Sequence, residues 1–301
     1  MNIPLIKFLI LFSLTLFFGR PSYGYQNKEV THPCLNCHNE ITGFYESNIH
    51  GKVFRCKRAG KEDTGDCGAC HGSGIDHKVS AEREDKVLVS VKTPFLRGSE
   101  YEKENNATCL ACHDKGEVSQ WRGSAHKFEG IGCTDCHRIH GEEQGRKVLF
   151  ITEACVRCHV EIRARMQRTS HMALRDGKMN CTDCHNPHGS AGPSLLKEKT
   201  LNENCYRCHM EKRGPLIWEH APVRENCGNC HDPHGSNQEA LLTMRIPYLC
   251  QSCHSMASHS SALYDGNALA GLNKNMVGKG CLNCHSLIHG SNHPSGSAYS
   301  R

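Results

Sequence analysis

Ten times in 301 residues the chain spells Cys-x-x-Cys-His, and that repeat leaves few architectures open to it. The first five units are Cys34, Cys37 and His38; Cys67, Cys70 and His71; Cys109, Cys112 and His113; Cys133, Cys136 and His137; and Cys155, Cys158 and His159. The second five are Cys181, Cys184 and His185; Cys205, Cys208 and His209; Cys227, Cys230 and His231; Cys250, Cys253 and His254; and Cys281, Cys284 and His285. Of 21 cysteines, Cys56 alone falls outside a unit. It is read as a plain thiol or as a half of a bridge to another chain.

Two thiols one helical turn apart can form thioethers to the two vinyl groups of one haem, and the next residue, a histidine, then reaches the iron. The repeat therefore reads as covalent attachment of ten c-type haems, with the ten motif histidines as proximal ligands. Zinc would combine C-x-x-C half-sites without needing a histidine after each. A disulfide framework would not keep ten histidines in register.

The N-terminus has one early lysine, Lys7, an apolar run from Phe8 to Phe18, and small residues Ser22 and Gly24 at a cleavage point. Residues 1–24 read as a cleaved signal peptide, the run being too short to span a bilayer. Residues 25–301 then form a single elongated decahaem domain. After residue 24, Leu, Ile, Val and Phe supply only about 16% of the residues, below the roughly 20% that marks chains unable to bury a core. Haem discs must supply the missing apolar interior, so the haem-free chain is expected to be largely unfolded. The formal charge of +5 changes sign once haem propionates are counted, which removes the motivation for nucleic-acid binding. Arg157, Arg163, Arg207 and Lys212 pair with propionates or solvate the surface.

Twelve of the 22 histidines lie outside the motifs. The motifs fall into five pairs, and each pair carries two spare histidines: His50 and His77, His126 and His140, His171 and His188, His220 and His234, His259 and His289. These ten are the candidate distal ligands. His32 and His293 remain as surface residues, with His293 an alternative ligand for the last haem. Spanning one iron from proximal to distal backbone takes roughly 12 Å, two imidazole arms and two bonds of about 2 Å. Three residues reach about 10–11 Å at most, so His188 cannot cap the iron of His185. The expectation is a swap within each pair, His188 capping the first haem and His171 the second, with links between adjacent pairs as the alternative.

The expected fold is mainly α with extensive loops and little sheet, an array of five two-haem repeats with haem as its core. Residues 154–174 lack Gly and Pro and predict one helix with a motif at its start, while 186–194 and 232–239 predict turns. Alternation from Lys86 to Val91 predicts a strand within the long stretch between His77 and Cys109. Trp121 and Trp218 are expected on porphyrin faces.

The motif number and order, the "SAH" and "TSH" before even-numbered motifs, the repeated "PHGS" and the closing "HGSNHPSG" from His289 resemble the periplasmic decahaem cytochromes of porin–cytochrome conduits, the MtrA/DmsE family. The resemblance covers the whole mature chain. It implies an outer-membrane-associated electron carrier with bis-histidine haems, partly inside a β-barrel porin. Its partners would be a periplasmic or inner-membrane donor and an outer-surface cytochrome or reductase. A freely diffusing periplasmic shuttle is the alternative. A multihaem reductase would need an iron with an open position, and no motif offers one.

Overall fold

The computed structural model describes residues 38, 41, 49–57, 65–72, 99–137, 139–140, 148–254 and 280–300. The signal peptide, Cys34, Cys37, His32, His77, His259, the Cys56 side chain and the expected strand at 86–91 lie outside the described residues. Contacts divide the chain into residues 1–39 and residues 40–301. All that follows concerns the second unit.

Its regular structure is short helices joined by turns. They are α1 Ile49–Lys57, α2 Gly65–His71, α3 Ser99–Leu110, α4 Ala125–Phe128 and α5 Cys133–Cys136. After these come α6 Val148–Val156, α7 Val160–Arg165, α8 Leu201–Tyr206, α9 Ala221–Glu225 and α10 Tyr248–Gln251. Among the described residues there is no sheet, only isolated antiparallel bridges such as Ser170 with Ser236 and Trp218 with Ser291. Helices this short are not stable alone in water, so their order must come from what they pack against.

The expected helix over 154–174 is two helices. α6 stops at Val156 and α7 begins at Val160, with His159 between them at φ −83°, ψ 62°. Beyond α7 the chain is no longer helical: Ser170 exchanges backbone hydrogen bonds with Ser236 of the next pair. The two turns predicted at 186–194 and 232–239 are present, with Gly189 and Gly235 at φ +119° and +133°.

Among the described residues the buried hydrophobic side chains are Trp121, Met166 and Leu196, while eight buried residues are polar, including Asn106, Ser124, Thr152, Asn202 and Ser236. That interior is the reverse of an ordinary core, in which apolar side chains dominate. The mainly α, loop-rich fold is built for an apolar filling that the polypeptide does not provide.

Candidate haem centres

Each described motif closes one turn. The histidine N–H donates to the carbonyl of the first cysteine at 2.9–3.1 Å from His113 to His285, which brings the two cysteines of each motif onto one face. Polar caps set where each turn starts. Asn180 and Asn226 accept the N–H of Thr182 and Gly228, and Asp135 accepts that of Gly132.

The motifs touch in sequence order through two alternating junctions. Within a pair, the leading cysteines are neighbours: Cys109 with Cys133, Cys155 with Cys181, Cys205 with Cys227 and Cys250 with Cys281. Cys205 is pushed up to about 12 by burial and then by Cys227, and Cys250 to about 11 by burial and then by Cys281. Between pairs, the second cysteines are the neighbours: Cys136 feels Cys158, Cys184 feels Cys208, and Cys230 feels Cys253.

Sequence reasoning missed the groups that fix the junction within a pair. Asn106, three residues before Cys109, accepts the N–H of Cys133 at 2.9 Å, and Asn202, three before Cys205, accepts that of Cys227 at 2.7 Å. Thr152, in the same place before Cys155, lies beside the Cys181 side chain. A polar residue at that recurring offset was the visible signal. The junction between pairs has its own clamp: Arg157 and Arg207, inside their motifs, donate to the carbonyls of Asp135 and Asp183 at 3.4 and 2.7 Å. These two arginines thus meet backbone of the preceding motif.

The spare histidines face motif histidines of adjacent pairs. Ring centroids are 5.9 Å apart for His50 and His113, 5.8 Å for His71 and His140, and 6.1 Å for His126 and His159. His137 and His188 are 5.9 Å apart, and His185 with His234, His220 with His254 and His231 with His289 are each 6.1 Å apart. Every one of these seven partnerships joins neighbouring pairs. The swap within a pair expected for His188 is therefore not the geometry: its ring faces His137, because the loop carrying it folds back onto the previous pair.

Glycine makes that return possible. A Cβ on Gly189 would lie 2.6 Å from the carbonyl oxygen of Gln120, and one on Gly235 would strike the carbonyl of Arg165. A Cβ on Gly290 would meet the Leu216 side chain and lie 3.2 Å from the carbonyl oxygen of Trp218. Trp121, expected on a porphyrin face, is buried with its ring centroid 6.3 Å from that of His188. Trp218 is partly exposed and is held by backbone hydrogen bonds to Ser291.

A spacing near 6 Å is too long for stacked rings, but two metal–nitrogen bonds of about 2 Å plus the inner half of each ring add up to roughly that length. Burial, followed by the facing ring, lowers the pKa of His50, His140, His188, His220 and His234, leaving neutral imidazoles with lone pairs to offer. His185, His231 and His285 donate Nδ1–H to the carbonyls of Ser194, Ala240 and Ala298 at 2.8, 2.7 and 2.6 Å. That fixes the tautomer with Nε2 free for iron. The carbonyls sit in turns containing left-handed non-glycine residues, Ser194 and Leu195, Ala240 and Leu241, and Tyr299. Such conformations cost about 1–3 kcal/mol each and persist where the surroundings impose them. The residues present fit haem c, which would supply a one-electron iron couple at each centre.

The remaining candidates are placed less fully. His171 donates Nδ1–H to Met172 at 2.8 Å, His209 lies 3.5 Å from Glu211, and His293 is exposed and accepts the Ser295 N–H.

Residues 171–214 and 220–259 match the doubled CXXCH motif family, and residues 67–151 match the family described as cytochrome c-type protein NrfB-like. The chain is 39% identical over 279 residues, 89% of its own length and 80% of the relative's, to a protein named multiheme cytochrome MtrA from Shewanella baltica (strain OS185). Paired attachment motifs, imidazoles facing one another at about 6 Å and that extent of identity lead to one assignment: the chain belongs to the MtrA family of multihaem c-type cytochromes, proteins that transfer electrons through covalently bound haem.

Proposed function

We propose that the chain is a decahaem conduit cytochrome that carries electrons along ten bis-histidine haems between the periplasm and the outer membrane. The observation that carries this is the set of seven imidazole partnerships, all between adjacent pairs and all at iron-bridging distance. Saturating both axial positions leaves no site for substrate, which suits electron transfer and opposes turnover at iron.

The thioether residues are the cysteines of all ten motifs, from Cys34 to Cys284, and the proximal ligands are the ten motif histidines. The first spare histidine of each pair caps the leading haem of the next pair, so His171 caps the iron on His209. The second spare histidine caps the trailing haem of the previous pair. His77 and His259 are the spare histidines left as candidate caps in the two end pairs. Adjacent pairs would thereby be stapled together through iron, and the current path and the fold would depend on the same bonds.

From the resemblance to the periplasmic decahaem cytochromes of porin–cytochrome conduits, the mature chain would work at the outer membrane inside a β-barrel porin, between a periplasmic donor and an outer-surface cytochrome or reductase. Among the described residues no helix is long and apolar enough to cross a membrane. Two measurements test the proposal. Mass spectrometry with a pyridine haemochrome assay should give ten haems per mature chain, and fewer would overturn the count. Affinity isolation from outer membranes should recover a large β-barrel protein; quantitative release into the periplasmic fraction would establish the shuttle instead.

A further inference from the structure

The seven imidazole partnerships differ in one respect. Five have nearly parallel ring planes, at 13–23°, but His50 with His113 and His126 with His159 are crossed, at 76° and 71°. For the second crossed couple a cause is visible. His126 donates Nδ1–H to the carbonyl of Pro187 at 2.9 Å, which fixes the rotation of its ring. Pro187 immediately precedes His188, the ring that faces His137. One dipeptide thus orients the partner of His159 and supplies the partner of His137.

The equivalent histidine of the fourth pair is a natural comparison. His220 has a buried Nδ1 with no hydrogen-bond partner, and its ring lies at 22° to that of His254. The Ile288 carbonyl stands in the place of Pro187 but makes no hydrogen bond to that Nδ1. Where the carbonyl engages, the rings cross; where it does not, they are nearly parallel.

We propose that His50 with His113, and His126 with His159, hold two of the haems with crossed axial imidazoles, and that Pro187 is the positioning residue for the second. This rests on the ligation proposed above. Parallel imidazoles direct their π-donation along one porphyrin axis and split the iron d orbitals, giving a ferric spectrum with three resolved g-values. Crossed imidazoles donate along both axes and leave those orbitals nearly degenerate. The ferric spectrum is then a single feature at large g, and the reduction potential rises, axial ligation being one of the protein's levers on it. The two crossed couples serve the leading haems of the second and third pairs, which makes these the more easily reduced of the seven.

Electron paramagnetic resonance of the oxidised, fully loaded protein tests this directly. The wild-type spectrum should contain large-g signals beside the three-feature ones, and their absence would overturn the proposal. His126→Ala should create a high-spin signal and remove one haem's worth of large-g intensity. His140→Ala, at a parallel couple, should create the same high-spin signal and take its intensity from the three-feature species. If His126→Ala gives high-spin iron at the expense of the three-feature species, the crossed arrangement is wrong while ligation by His126 stands. If neither variant produces high-spin iron, the ligation itself is wrong. Should His126→Ala fail to mature, His50→Ala carries the same expectation at the other crossed couple.

Discussion

The loops following the sixth and eighth motifs, residues 186–197 and 232–243, are nearly superimposable in their bonding, yet they present different charges to the histidines they carry. In both, the backbone N–H after the motif donates to a leucine carbonyl at 2.8 Å, Leu195 for Asn186 and Leu241 for Asp232. In both, the residue after the motif accepts the N–H of the loop histidine at 3.1 Å, His188 on Asn186 and His234 on Asp232. The difference is that Asp232 is a carboxylate. It lies 3.9 Å from Nδ1 of His234 and 3.5 and 3.7 Å from Arg165 and Arg168. His188, by contrast, has a buried Nδ1 with no hydrogen-bond partner. One scaffold is thus used twice with different electrostatics, so geometry and potential can be tuned separately.

The largest expected effect breaks what the two loops share. Gly189→Ala and Gly235→Ala each force a Cβ onto a left-handed residue and into a neighbouring carbonyl, that of Gln120 or Arg165. Each should cost about 2–4 kcal/mol, the range for strained backbone combined with overpacking. Thermal melts followed by Soret circular dichroism on the loaded proteins would read this as a clear loss of stability. A cost below about 1 kcal/mol in both would mean the loops do not need their close approach.

Next comes the identity of each cap. His234→Met and His188→Met should each raise the potential of one haem by on the order of 100 mV, since Met/His ligation favours the ferrous state. Potentiometric titration would show one haem leaving the low-potential group in each variant. No shift in either would refute capping by these loops.

Asp232→Asn sharpens the contrast by turning the eighth-motif loop into a copy of the sixth. A carboxylate near the Nδ1–H of an iron-bound histidine strengthens its donation and favours the ferric state. Removing it should raise the potential of the haem served by His185 and His234 by a few tens of millivolts. The discount below a full ion-pair effect reflects the two arginines already balancing the carboxylate. Asn186→Asp should move the haem served by His137 and His188 in the opposite direction.

How far these features were legible in the sequence depends on the kind of interaction that makes them. The motifs, the spare histidines and the glycine turns could be read because each uses a residue type at a fixed offset. A chain-length limit could separate His188 from the iron of His185, but it could not choose His137, which depends on a fold-back around Gly189. Helix periodicity over 154–174 failed because the motif imposes a break at His159 that no propensity encodes. The left-handed conformations at Ser194–Leu195 and Ala240–Leu241 fall on non-glycine residues, so residue type does not announce them. Asn106 and Asn202 were visible as a repeat but invisible as a function, since polar residues are ordinarily assigned to the surface.

The smallest expected effect isolates the arginine that balances Asp232. Arg165 also bonds Glu161 at 2.6 Å, but that carboxylate is 75% exposed, whereas Asp232 is 18% exposed. Solvent screens the outer contact, and exposed pairs of this kind contribute about 0.2–0.5 kcal/mol. Glu161→Gln should therefore lower stability by no more than that and leave the potential of the haem at His185 unmoved, because Arg165 keeps its inner partner. A shift as large as that of Asp232→Asn would mean the outer carboxylate, rather than Asp232, holds the arginine in place. The contrast between the two loops would then extend from α7, the helix that carries both Glu161 and Arg165, instead of from the loop itself.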